Sequence, residues 1–60
     1  MYEIITTMCD GTRDINYRSS MKRAREIANA GRFNADVAYV EVFLMSRKLI
    51  LTTFGGSEYE

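Results

Sequence analysis

The 60-residue sequence has no histidine, proline or tryptophan, and it has a single cysteine, Cys9. A lone cysteine cannot form an intramolecular disulfide, and without histidine neither a zinc site nor a Cys/His nucleophile pair can be assembled. Lys plus Arg number 8 and Asp plus Glu number 8, so no overall charge commits the chain to nucleic acid or to an anionic membrane. A small apolar core must therefore stabilise the fold without a covalent or metal crosslink.

Long apolar segments are also missing. The longest apolar-rich run, residues 37–45, is far shorter than the ~20 residues that span a bilayer. The N-terminus lacks a basic stretch followed by an apolar segment, which is the pattern of a secretory signal. These absences predict a cytoplasmic protein with no membrane partner.

The residues that are present have an ordinary globular composition, with 47% hydrophobic and 27% charged residues. We predict one α+β domain over residues 1–54, followed by a loose acidic tail, residues 55–60, which is rich in glycine. The segment between Met1 and Cys9 is rich in β-branched residues, which predicts a first strand. Asp10-Gly11 predicts a two-residue type I′ turn, and residues 13–18 then alternate as a short edge strand.

A helix is predicted over residues 20–30. Ser19 or Ser20 can cap its N-terminus through a hydroxyl hydrogen bond, and Gly31 falls where a left-handed C-cap is needed. Its apolar stripe has three-to-four-residue spacing and consists of Met21, Ala24, Ile27 and Ala28.

Residues 37–45 and 49–54 predict a final β-hairpin. The complete fold is then a small ββαββ domain in which one helix packs on one face of an antiparallel sheet. We expect the helix to cover Ala38, Val40, Val42 and Leu44. The opposite face would carry Val37, Tyr39, Glu41, Phe43 and Met45, with Ile50 and Phe54 from the last strand.

The sequence gives no support for catalysis or for a cofactor. Its carboxylates are scattered singly, without the paired spacing that acid–base chemistry needs, and its glycines form no phosphate-binding loop. We therefore predict a protein that is not an enzyme, with no catalytic residue and no bound metal or cofactor. Cys9 is expected to be a buried structural residue, because cysteine is among the most buried residue types.

A basic stripe is the first candidate binding surface. It consists of Arg18, Lys22, Arg25, Asn29 and Arg32, at spacings of four, three, four and three residues, which places them along one line of a helix. Residues 13–32 contain six basic and two acidic residues, a local charge of +4. The stripe predicts contact with a partner, and the alternative is a solvated face partly neutralised by a Lys22–Glu26 pair.

The uncovered face of the sheet is the second candidate. One helix covers one side of the sheet, so Tyr39, Phe43 and Phe54 would form the centre of an exposed apolar patch. Such a patch predicts a homodimer or a protein partner. The alternative is a reversed register, or a tail folded over this face. Base stacking on these aromatics is a weaker interpretation, because the basic stripe lies on the helix.

The capped basic helix SSMKRAREIANAGRF followed by the hairpin VAYVEVFLMSRKLILTTF resembles small phage-encoded accessory proteins of the anti-CRISPR type, which place one helix on an antiparallel sheet. This resemblance implies stoichiometric binding to a CRISPR effector subunit in a bacterial host cell, which covers a nucleic-acid-binding or assembly surface. We therefore predict a protein-binding inhibitor or modulator of a nucleic-acid-handling complex. The alternative is a nucleic-acid-binding protein that uses the basic helix.

Overall fold

The computed structural model describes residues 1–44 and 48–55. These residues form β1 (Tyr2–Met8), β2 (Arg13–Arg18), the helix α1 (Met21–Arg32), β3 (Val37–Leu44) and β4 (Lys48–Phe54). The strands pair antiparallel in a single sheet of order β2-β1-β3-β4. The predicted ββαββ fold is confirmed. Of the predicted tail, residues 56–60 lie outside the described residues, and Gly55 donates its N–H to the carbonyl of Ala38.

Met8 and Thr12 are opposite each other at the end of the β1–β2 hairpin, so the loop between them has three residues, 9–11, rather than two. The N–H of Met8 donates to the carbonyl of Thr12 at 2.8 Å, and the N–H of Gly11 donates to the carbonyl of Met8 at 3.0 Å. Gly11 has a φ of 93°, a left-handed conformation that glycine adopts without strain. The predicted two-residue turn at Asp10-Gly11 is therefore wrong, because Cys9 also belongs to the loop.

The helix begins at the predicted place and ends later than predicted. Ser20 occupies the N-cap, and its carbonyl accepts the N–H of Ala24 at 3.0 Å, but its hydroxyl makes no capping bond. The helix continues through Gly31 to Arg32, with Phe33 at the C-cap, so the predicted C-cap role of Gly31 is wrong. A Cβ at Gly31 would lie 2.7 Å from Cγ2 of Val40. Glycine is needed here because the helix approaches the sheet closely. Within the described residues, the 12-residue helix α1 is too short to span a bilayer.

The core lies between α1 and the two central strands. It consists of Ile4, Ala24, Ala28, Val37, Val40 and Val42. The small side chains of α1 let the helix backbone come close to the sheet, and the predicted apolar stripe supplies the contact. The hydroxyl of Thr53 also donates to the carbonyl of Ala28 at 2.8 Å, which joins β4 to the helix.

Two β-bulges change which side chains face the helix. Met8 is opposite Val37 and Thr7 is opposite Tyr39, so Ala38 is an extra residue in β3. Val37 consequently turns towards the helix and is 4% exposed, and its predicted place on the uncovered face is wrong. In β4, Leu49 pairs with Phe43 and Ile50 is the extra residue.

Candidate binding surfaces

The face of the sheet opposite α1, here called the outer face, presents three rows of side chains across the four strands. Read from β2 to β4, the rows are Arg13, Thr7, Tyr39 and Phe54; then Ile15, Ile5, Glu41 and Thr52; then Tyr17, Glu3, Phe43 and Leu49. Most of these side chains are aliphatic or aromatic, and no helix of the described chain covers them.

The structure places the three predicted interface residues, Tyr39, Phe43 and Phe54, on the outer face. Tyr39 and Phe43 are half-buried by their neighbours, and Phe54 is 65% exposed. Their contact with a partner stays a prediction. Of the other residues predicted to lie here, Ile50 occupies the bulge, and Met45 lies outside the described residues.

Four apolar residues of the outer face were not among the predicted site residues: Ile5, Ile15, Tyr17 and Leu49. Ile15 and Tyr17 lie on the edge strand β2, and each is about half exposed. The alternation of polar and apolar residues within 13–18 indicates that Ile15 and Tyr17 share one face of β2. Whether that face is the outer face depends on the register between β1 and β2, which is set by the length of the intervening loop.

The outer face also carries charged groups in defined places. The hydroxyl of Tyr17 donates to Oε2 of Glu3 at 3.2 Å, and this hydrogen bond, together with the carboxylate charge, raises the pKa of Tyr17. Glu41 lies in the middle row between Ile5 and Thr52. With Arg13 at one corner, the outer face has two carboxylates and one guanidinium, so its net charge is negative.

Four residues of the predicted basic stripe lie on one side of α1. We call Lys22, Arg25, Asn29 and Arg32 the basic flank; in helical projection they are about 100° from the buried line of Ala24, Ala28 and Gly31. Asn29 and Arg32 line a groove of ≈ 430 Å³ together with Leu51, Thr52, Thr53 and Phe54 of β4. The basic flank therefore runs beside one edge of the sheet.

Arg18 does not belong to this line. It ends the strand β2, at the other edge of the sheet, and its Nη1 donates to the carbonyl of Tyr17 at 2.7 Å. The predicted alignment of Arg18 with the helix is wrong, because helical geometry begins only at Met21. Glu26 lies 4.0 Å from Arg23, so the ion pair on α1 involves Arg23 rather than the predicted Lys22.

A second cleft, of ≈ 280 Å³, is lined by Met8, Cys9, Asp10 and Asp36. Cys9 is exposed, with Sγ 3.6 Å from the carbonyl of Ala35, so its predicted burial is wrong. The carboxylate of Asp10 accepts hydrogen bonds from the backbone N–H and from the hydroxyl of Thr12. These bonds lower the pKa of Asp10, and the backbone bond has the larger effect. Within residues 1–44 and 48–55, no three His, Cys, Asp or Glu side chains are grouped so that they could hold a metal ion.

Comparison with known proteins adds no relative to this description: no protein-family model, no curated protein and no solved structure matches the chain. The geometry of the two surfaces is therefore the basis for a functional assignment.

Proposed function

We propose that this chain is a non-enzymatic protein-binding inhibitor or modulator that covers a working surface of a nucleic-acid-handling effector complex. The observation that carries the proposal is the outer face, where seven of the twelve positions carry apolar or aromatic side chains and every strand contributes at least one of them. Contiguous apolar patches on small domains mark interaction sites, because burying them removes apolar surface from water.

The charges of the outer face support a particular kind of protein partner. Glu41 lies among apolar residues in its middle row, and Glu3 lies in the neighbouring row. Carboxylates at these positions repel phosphates. They match a protein surface that presents Arg or Lys among apolar groups, and surfaces that bind nucleic acid carry such basic residues. Covering such a surface is the mode of action implied by the resemblance to anti-CRISPR proteins, and it would take place in the bacterial cytoplasm.

The direct test measures target-DNA binding by a panel of purified CRISPR effector complexes while the protein is added. We expect DNA binding by a susceptible complex to be lost at an equimolar ratio, as stoichiometric occlusion requires. Phe43→Glu places a charge in the outer face and should weaken inhibition by about thirtyfold or more, the effect of losing a central aromatic contact. Arg23→Glu, on an exposed helix position, is the matched control and should inhibit normally. Undiminished inhibition by Phe43→Glu would contradict the proposal.

Self-association is the other use of the same apolar surface, and sedimentation velocity at micromolar concentration distinguishes it. A dimer that dissociates on Phe43→Glu would assign the outer face to a second copy. A monomer that still inhibits an effector complex would assign the outer face to the heterologous partner.

Direct nucleic-acid binding is the second candidate function, and the observation that favours it is the exposure of Lys22 and Arg25 on the side of α1 that lines the groove. Phosphate contacts release counterions, so log affinity would fall linearly with log salt, by a slope of about −0.9 for each contact with duplex DNA. Arg25→Glu should then abolish binding to an oligonucleotide and flatten the slope. Partner binding through the outer face should instead fall much less steeply with salt, because it depends on apolar contacts as well as on charge.

A further inference from the structure

The two edges of the sheet differ in how they are protected from additional strands. The edge strand β2 carries three charged side chains among its six residues, Arg13, Asp14 and Arg18, and charge on an edge discourages strand pairing. The other edge strand, β4, has one charge at its start, Lys48, and then six uncharged residues, Leu49–Phe54. In the described chain no strand pairs with the outer side of β4.

The register of β4 shows which backbone groups point to the open side. The N–H of Gly55 donates to the carbonyl of Ala38 at 3.0 Å, so these two residues form a hydrogen-bonded pair. Hydrogen-bonded and non-hydrogen-bonded pairs alternate along an antiparallel ladder, so the next hydrogen-bonded pair is Thr53 of β4 with Val40 of β3. The N–H and C=O groups of Thr52 and Phe54 therefore point away from β3, where another strand can pair with them.

A strand added at this edge would lie beside the basic flank. Its residues opposite Leu51 and Thr53 would point to the helix side of the sheet, because directly paired residues share a face. On that side, Asn29 and Arg32 line the groove, and Arg25 lies one turn earlier on the same side of α1. The residue opposite Thr52 would point instead to the outer face, next to the exposed ring of Phe54.

We propose that the edge of β4 and the basic flank together bind an extended segment of a partner protein as a fifth strand, with acidic residues at alternating positions and apolar residues between them. The carboxylates meet the basic flank, and the apolar side chains extend the outer face. This inference deepens the proposed function by naming the chemistry of the partner segment. It rests on the proposed function for one premise, which is that the partner is a protein.

The probe is a fluorescein-labelled peptide of sequence Glu-Val-Glu-Val-Glu, acetylated and amidated to remove terminal charges, and its binding is measured by fluorescence anisotropy. A peptide of the same composition, Glu-Glu-Glu-Val-Val, is the matched control, because its carboxylates fall on both faces of a strand. We expect the alternating peptide to bind at least about fivefold more tightly, since each charge that misses the basic flank loses its electrostatic attraction. Equal affinity for the two peptides would overturn the proposal.

The backbone component is tested with Thr52→Pro. Proline lacks an N–H and is tolerated on edge strands where that N–H faces outwards, so the variant should keep its pairing with β3 and lose peptide binding. The same component is tested from the other side by methylating both valine nitrogens of the probe, which leaves the protein unchanged and should also abolish binding. Normal binding of the methylated probe would show that no strand is added.

The charge component is tested at Asn29, which lines the groove and is exposed. Asn29→Lys should tighten binding of the alternating peptide and Asn29→Asp should weaken it, each by about three- to tenfold, as expected for one charge within ~6 Å at a protein surface. Arg23→Glu is the control with a charge change on the opposite side of α1, and it should leave the affinity within twofold of the parent.

The outcomes also separate this inference from the proposed function. Phe43→Glu should weaken inhibition of an effector complex by about thirtyfold or more, while the alternating peptide still binds. If an oligonucleotide binds the basic flank, and neither Thr52→Pro nor peptide competition affects it, the basic flank is a phosphate surface and the strand-addition proposal is wrong.

Discussion

Replacing Gly31 by alanine should destabilise the protein, against the usual effect of this change in a helix. Alanine in the interior of a helix is normally about 1 kcal/mol more favourable than glycine. In this fold the new methyl group would lie 2.7 Å from Cγ2 of Val40, well inside the ~3.5–4.0 Å of a normal carbon–carbon contact. Val40 is 1% exposed, and its β-branched side chain has few alternative rotamers.

The expected size of the effect is the difference between these two contributions. Inserting one methyl into a closely packed core costs about 1–3 kcal/mol, and the stiffness of Val40 places this site in the upper part of that range. Subtracting the helix-propensity gain leaves a net loss of about 1–2 kcal/mol in the free energy of unfolding. For a domain of this size the melting temperature should fall by about 4–8 °C for each kcal/mol.

Urea denaturation followed by circular dichroism measures the change. The control is Gly31→Ala in a Val40→Ala background, where the clashing methyl group is absent and alanine should stabilise by about 1 kcal/mol. Sodium sulfate strengthens apolar burial and keeps the Val40→Ala proteins folded for the comparison. If Gly31→Ala raises the stability of the parent chain, the close approach of α1 to β3 is not present in solution.

Three further predictions concern single polar groups. Thr53→Val should lower the free energy of unfolding by about 1 kcal/mol in urea denaturation, because its hydroxyl donates to the carbonyl of Ala28. Thr7→Val should raise it by a similar amount, because the buried hydroxyl of Thr7 has no hydrogen-bond partner among the described residues. The pKa of Asp10 in the folded protein is lowered below its usual 3.8. Ionised Asp10 therefore stabilises the folded state fully above pH 3.8, and this stabilisation is lost as the pH falls through the lowered pKa. Asp10→Asn should therefore flatten the dependence of the urea midpoint on pH in the acid range, whereas an unchanged slope would contradict the role of Thr12.

The element order could be predicted from the sequence because each element has a local signal. The spacing of Ala24 and Ala28 gives a helical period, and the β-branched residues of the last third give two strands separated by a polar break. Local signals failed where pairing between strands decides which face of the sheet a side chain occupies. Ala38 becomes a bulge only when β3 is aligned with β1, and this bulge moves Val37 from the outer face into the core.

The composition of the outer face depends on a single residue in the β1–β2 loop. With the predicted two-residue loop, Cys9 would pair with Thr12, and Tyr17 would be opposite Ile4, on the helix side. The three-residue loop shifts the register by one, so Ile15 pairs with Ile5 on the outer face. A shift of one residue exchanges the two faces of a strand. Loop length therefore decides whether β2 adds apolar or polar side chains to the candidate interface, and no pattern within β2 itself can show this.

Although the chain has zero net charge, two of its surfaces differ in sign. The outer face has more carboxylates than cations, with Glu3 and Glu41 against Arg13, whereas the basic flank on α1 contributes Lys22, Arg25 and Arg32. Composition alone sums these charges, and the fold separates them onto opposite sides of a thin sheet. Because charged patches act over about one Debye length, a partner that meets one surface experiences its local sign rather than the total. On the proposals made for these two surfaces, a neutral chain would meet a basic partner surface with the outer face and an acidic strand at the β4 edge.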